Sequence, residues 1–97
     1  MTKIVVLPRA RLDLFDIWSF IFEENQSDVI ADSFLKTLIE QFDQLLLSPK
    51  LGRAINEITP GVRKLVFRNY IIFYQLSGND VVVIRVLNGA RNWQSML

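Results

Sequence analysis

Residues 81–92 read Val-Val-Val-Ile-Arg-Val-Leu-Asn-Gly-Ala-Arg-Asn, and this stretch decides the fold. Val81, Val83 and Val86 with Ile84 and Leu87 make a run too apolar for a half-exposed strand, which predicts a strand inside a sheet. Arg85 alone interrupts it. Asn88-Gly89 then stops the strand, because glycine accepts backbone angles that other residues resist. Arg91 follows at once. Two arginines delivered near the end of a buried strand suggest a polar site on a rigid support.

Working back from there, Ser77-Gly78-Asn79-Asp80 reads as a turn and Tyr70 to Leu76 as an aromatic and β-branched strand. Arg68-Asn69 is a tight turn, with asparagine the residue that tolerates left-handed angles. Val62 to Phe67 is the strand before it. These three strands predict an antiparallel meander. Lys50 to Gly61 reads as a loop, punctuated by Gly52, Pro60 and Gly61 and anchored by Leu51, Ile55 and Ile58.

Further upstream the period changes to that of helices. Asp28 to about Leu47 carries Ala31, Phe34, Leu35, Leu38, Phe42 and Leu45 on one side, with Ser27 or Asn25 as its cap and Ser48-Pro49 as its end. Asp28 and Asp32 sit in its first turns, where the helix dipole favours negative charge. From Arg9, residues Ala10, Leu14, Ile17 and Ile21 form one helical face, and Leu12, Phe15, Trp18 and Phe22 form a second stripe. A helix apolar on two sides needs two surfaces to pack against. Ile4 to Leu7 is a short buried strand stopped by Pro8. The order β-α-α-β-β-β predicts an α+β two-layer domain over 1–97, with a helical hairpin on one face of the sheet.

Composition limits the chemistry. The 97 residues contain neither cysteine nor histidine, so thiolate nucleophiles, disulfides and the commonest metal and acid–base side chain are all missing. No cofactor is implied. The opening Met1-Thr2-Lys3-Ile4 runs straight into strand-like sequence rather than a signal peptide, and no apolar run reaches membrane-spanning length, so a cytoplasmic protein is expected. A net charge of +1 conceals a division. Asp13, Asp16, Glu23, Glu24, Asp28, Asp32, Glu40 and Asp43 face only Lys36 between Leu12 and Pro49. Elsewhere Lys3, Arg9, Arg11, Lys50, Arg53, Arg63, Lys64, Arg68, Arg85 and Arg91 face only Glu57 and Asp80. Such fields steer partners of opposite sign, whether nucleic acid or acidic protein.

The closing motif Ile84-Arg85-Val86-Leu87-Asn88-Gly89-Ala90-Arg91-Asn92 resembles that of the ParE/RelE superfamily, the toxins of bacterial type II toxin–antitoxin pairs. Asn88 and Asn92 depart from it, standing where that pattern has histidine and aspartate. The resemblance spans nearly the whole chain: Asp13-Leu14 with Ile17 and Ile21, then Phe34 and Leu38, then Pro49, Gly52 and Arg53. It continues through Pro60-Gly61-Val62-Arg63 and Tyr70-Ile71-Ile72-Phe73-Tyr74. It implies the same β-α-α-β-β-β fold and, in the ParE-like branch, a plasmid-stabilisation toxin that inhibits DNA gyrase and is silenced by a cognate antitoxin. The RelE-like branch implies instead a ribosome-dependent messenger-RNA endonuclease.

Cleavage through a 2′-hydroxyl needs proton shuttles as well as cations. RelE-like chains are similar in placing a tyrosine or histidine near the C-terminus, but residues 92–97 hold neither. Ile71 stands where they carry an arginine. Tyr70 and Tyr74 belong to a core strand, and Glu57 is the one carboxylate in the basic loop. A non-enzymatic ParE-like toxin is therefore the reading, with the ribonuclease and an inert scaffold that only binds antitoxin as alternatives. Target-binding candidates are Arg63, Arg85, Arg91 and Trp93; Arg85 and Arg91 also read as structural arginines holding backbone carbonyls, Trp93 as a plug for the sheet, and Arg63 as an ordinary solvated residue. Antitoxin-binding candidates are Leu12, Phe15 and Phe22, unless the second helix covers that stripe. No helix resembles a major-groove reader, so DNA would be met only through antitoxin or gyrase.

Overall fold

The computed structural model describes residues 2–97; Met1, where the strand-like opening was read, lies outside them. Strand β1 (Ile4–Val6) leads into helix α1 (Pro8–Asn25), and Gln26 and Ser27 separate it from α2 (Asp28–Leu47). Strands β2 (Arg53–Ala54), β3 (Val62–Phe67), β4 (Tyr70–Ser77) and β5 (Asp80–Asn88) follow, then a short 3₁₀ turn at Trp93–Met96. The sheet order is β1-β5-β4-β3-β2, with β1 parallel to β5 and the other pairs antiparallel. β5 is thus flanked on both sides, as its apolar run predicts. No described helix is long and apolar enough to cross a membrane.

The boundaries follow local chemistry. Pro8 opens α1 at the position where its missing N–H costs nothing, so Leu7 leaves the strand and becomes the cap. Gln26 ends that helix in the left-handed region at φ 51°. Ser27, rather than Asn25, caps α2, its hydroxyl accepting from the Ile30 N–H. The segment read wholly as loop contains β2, whose Arg53 and Ala54 pair with Lys64 and Arg63. A strand of two residues between a glycine and a turn has too little periodicity to be read from sequence. The β3–β4 turn also differs: Arg68, not Asn69, takes the positive φ of 53°. Its guanidinium lies 5.1 Å from the Phe67 ring and 5.5 Å from that of Phe34, so stacking holds the strained residue.

The sheet is buried on both sides by different material. Tyr70, Ile72, Val83 and Val86 meet Ala10, Ile17, Leu38 and Phe42 of the hairpin. On the opposite face Ile71, Phe73 and Leu87 meet Ile55 from the β2–β3 connection and Trp93 from the last turn. Tyr74 and Val81 extend the helix-side core to Leu45. The acidic half of the sequence is thus the helical layer, and most of the basic half is the sheet with its loops. Charge division becomes layer division.

Loop docking depends on one tyrosine. The Tyr74 hydroxyl donates to the Pro49 carbonyl at 2.8 Å and accepts from the Gly52 N–H at 2.8 Å. Burial pushes the Tyr74 phenol above its ordinary pKa, so it stays a donor. A Cβ on Gly52 would lie 2.7 Å from the Lys64 carbonyl and from two Tyr74 side-chain atoms. Only glycine fits.

Candidate functional site

The end of β5 is built around Asp13. β1 covers β5 only from Val81 to Val83, so the N–H of Val86 would be left at an open edge. Asp13 of α1 reaches down and accepts that N–H at 3.0 Å. The same carboxylate receives Arg85 in a two-pronged bond, Nε at 2.8 Å and Nη2 at 3.1 Å. Arg85 also donates from Nη1 to the Met96 carbonyl at 3.1 Å. The guanidinium therefore joins the helical layer to the turn that covers the far face of the sheet. The ladder skips Ile84, since Phe73 opposes Arg85 and Tyr74 opposes Val83. That bulge adds twist and re-aims the strand where the arginine leaves it.

Of the target-binding candidates, Arg85 is thus engaged inside the molecule. Trp93 is buried as well: its ring centroid lies 5.1 Å from that of Phe73, and Lys64 Nζ sits 5.4 Å over it. Arg63 donates to the Gly52 carbonyl at 2.7 Å and so binds the loop that Tyr74 holds. Arg91 differs. It is exposed and makes no side-chain hydrogen bond or ion pair among the described residues. Asn88, in place of histidine, accepts the Ala90 N–H at 2.8 Å and shapes the turn that presents Arg91.

The stripe on α1 divides. Trp18 and Phe22 stack at 5.3 Å and 7°, and the Trp18 indole donates to Asp32 of α2 at 2.8 Å. The second helix covers that part. Leu12 and Phe15 stay 54% and 65% exposed, uncovered by any described residue. Phe20, which belongs to neither stripe and was not read as a site residue, is 52% exposed on another side of the helix. Its sequence signal was available: a large aromatic off both apolar faces. Asp13 had one too, an acid at helical spacing between Ala10 and Ile17.

The proton-shuttle candidates are placed unfavourably for acid–base work. Glu57 faces Arg53 at 3.2 Å on the surface, and its own backbone N–H together with Arg53 holds its carboxyl below the ordinary value. A weaker base results. Burial raises the Tyr70 and Tyr74 phenols, which disfavours the tyrosinate that would act as base.

Comparison with known proteins agrees with this architecture. A family model described as ParE toxin of type II toxin-antitoxin system, parDE, matches residues 4–93. Toxin ParE1 of Mycobacterium tuberculosis is 32% identical over 88 residues, covering 90% of this chain and 89% of that protein. Toxin ParE3 of Caulobacter vibrioides is 32% identical over 74 residues, covering 76% and 74%. A solved structure, the chromosomal ParDE TA system from P. aeruginosa, superposes with a TM-score of 0.77 over 91% of this chain and 96% of that one. At 19% identity that likeness shows a shared fold. With the sequence match running through both helices and the Asp13–Arg85 junction to the start of the final turn, the chain belongs to the ParE toxin family of type II toxin–antitoxin systems.

Proposed function

We propose that this chain is a non-enzymatic cytoplasmic toxin that inhibits DNA gyrase and is silenced by direct binding of a cognate antitoxin. Family membership carries the reading. It is supported by the state of the groups a ribonuclease would need, since Glu57 is paired with Arg53 and burial raises the pKa of both tyrosines. Arg91 is the strongest target-facing candidate, being the one of the four that is both charged and unengaged. Arg63, Arg85 and Trp93 act by holding the loop, the strand edge and the last turn in place. The test is plasmid supercoiling by purified gyrase with the toxin added, alone and with antitoxin. Inhibition that antitoxin reverses is the expected result. Undiminished supercoiling by a folded, antitoxin-binding sample would overturn the gyrase assignment and direct attention to translating ribosomes.

Antitoxin binding is supported by the uncovered part of α1. Fully burying a side chain such as Phe15 is worth about 1.5–3 kcal/mol, the kind of anchor a segment needs to offset its own ordering. Phe15→Asp is expected to weaken antitoxin binding by about tenfold or more with the unfolding midpoint unchanged. Phe22→Asp is expected to behave differently, lowering the midpoint because Phe22 stacks on Trp18 between the helices. Affinity titration beside thermal unfolding reads both. Equal loss of stability in the two variants would place Phe15 in the core instead.

A further inference from the structure

A cavity of about 270 Å³ lies between α1 and the end of β5, walled by Asp16, Phe20, Tyr70, Asn88 and Arg91. Ile17 and Val86 give it an apolar floor. Its size sits just below the range of about 300–1,000 Å³ typical of small-molecule pockets, and suits an inserted side chain better. Four polar groups around it have unused bonding capacity among the described residues. Arg91 and Asp16 are exposed and unpaired, one on each wall. Asn88 uses its carbonyl oxygen on Ala90 and leaves its amide N–H₂ free. The Tyr70 hydroxyl makes no hydrogen bond although the residue is 7% exposed. Among the described residues no buried side-chain oxygen lacks a partner, so that hydroxyl opens to solvent. Asp13, the remaining charge there, is already neutralised by Arg85. The cavity therefore offers one free cation, one free anion, two neutral donors and an apolar floor.

We propose that this cavity seats a short segment of the antitoxin in which an apolar side chain stands between an acidic residue, for Arg91, and a basic one, for Asp16. The inference rests on the antitoxin reading above. Charge complementarity selects the occupant: a nucleic-acid backbone would meet Asp16 as a repulsive neighbour, and a purely acidic segment would as well. Phe20 supplies the aromatic surface on which the inserted side chain rests, and the Tyr70 phenol donates to the incoming carboxylate. Asp16 lies one residue from Phe15 in the chain, so a segment that crosses the exposed part of α1 reaches both places. Occupancy would also cover Arg91, the free cation left for the target. Neutralisation then follows from competition for one arginine.

The experiment titrates the purified antitoxin encoded with this toxin into the wild-type protein and into Arg91→Glu, Asp16→Lys, Phe20→Asp and Phe15→Asp. The first three residues are exposed and free of internal pairs, so their variants keep the fold, which circular dichroism checks. Each is expected to lower affinity about tenfold or more, and the double charge exchange Asp16→Lys with Arg91→Glu is expected to lose still more. An antitoxin with the contacting acid changed to lysine is expected to recover affinity for Arg91→Glu alone. Binding within twofold of wild type for Arg91→Glu, Asp16→Lys and Phe20→Asp, with Phe15→Asp weakened, would overturn the cavity assignment and leave antitoxin binding standing. Failure of the wild-type protein to bind would overturn both.

Discussion

Asp13→Ala is expected to lower stability by about 3–5 kcal/mol, the usual cost of removing one partner from a buried ion pair. Three bonds are lost in that substitution. Arg85 loses both of its carboxylate contacts, and the Val86 N–H loses its acceptor at an edge that β1 does not reach. The carboxylate is 6% exposed and the guanidinium little more, so water cannot replace them cheaply. For a domain of this size such a loss lowers the midpoint by roughly 12–40 °C and removes a large share of a typical stability of about 5–15 kcal/mol. Asp13→Asn separates the contributions. An amide oxygen can still accept from Val86, so Asn is expected to keep part of the stability while the ionic part is lost. Urea unfolding of the two variants measures the difference. A loss below about 1 kcal/mol for the alanine variant would mean that Arg85 finds another partner. Because Arg85 also holds the Met96 carbonyl, the alanine variant is expected to loosen the last turn and expose Trp93, which fluorescence would report.

The same junction shows where sequence reasoning stops. Apart from the two-residue β2, the element order was legible because each element carries its own signal: β-branched and aromatic residues bounded by turn residues in β3 and β4, helical spacing in α1 and α2, a continuous apolar run in β5. The role of Arg85 was not, since its partner lies 72 positions away and pairing at that distance leaves no local pattern. Trp93 and Arg63 stayed ambiguous for the same reason: whether an aromatic or a cation faces inward depends on what the sheet presents to it. The stripe of Leu12, Phe15 and Phe22 divides because α2 crosses it at Trp18 and Asp32, a detail of helix packing that no single-helix pattern contains. Arg68 took the left-handed turn position because two aromatic rings, one from α2, hold its side chain. Local preference favoured asparagine there; tertiary contact decided otherwise.

Gly52→Ala is expected to cost about 2–4 kcal/mol, through overpacking and the loss of loop hydrogen bonds together. The new methyl would meet the Lys64 carbonyl, the Tyr74 ring and the Tyr74 hydroxyl, all at 2.7 Å. The carbonyl is held in the β2–β3 ladder and the ring in the core, so neither can retreat. The loop must lift instead. Lifting breaks the Gly52 N–H bond to Tyr74 and the bond from Arg63 to the Gly52 carbonyl, and strains the one from Tyr74 to Pro49. Tyr74→Phe alone removes the hydroxyl bonds and leaves a buried N–H unsatisfied, an expected loss of about 1–3 kcal/mol. The two substitutions share these atoms, so their effects should not add. In the double variant one clashing atom is gone and the hydrogen bonds are counted once, and the combined loss is expected to fall short of the sum by about 1 kcal/mol or more. Additivity within about 0.5 kcal/mol would show that the alanine is accommodated without disturbing Tyr74. The loop also carries Arg53 and leads into β2, so its lifting would remove the edge strand from the sheet. Amide exchange at Arg53, Ala54 and Ile55 should therefore quicken in Gly52→Ala, while exchange in β5 changes only as global stability falls.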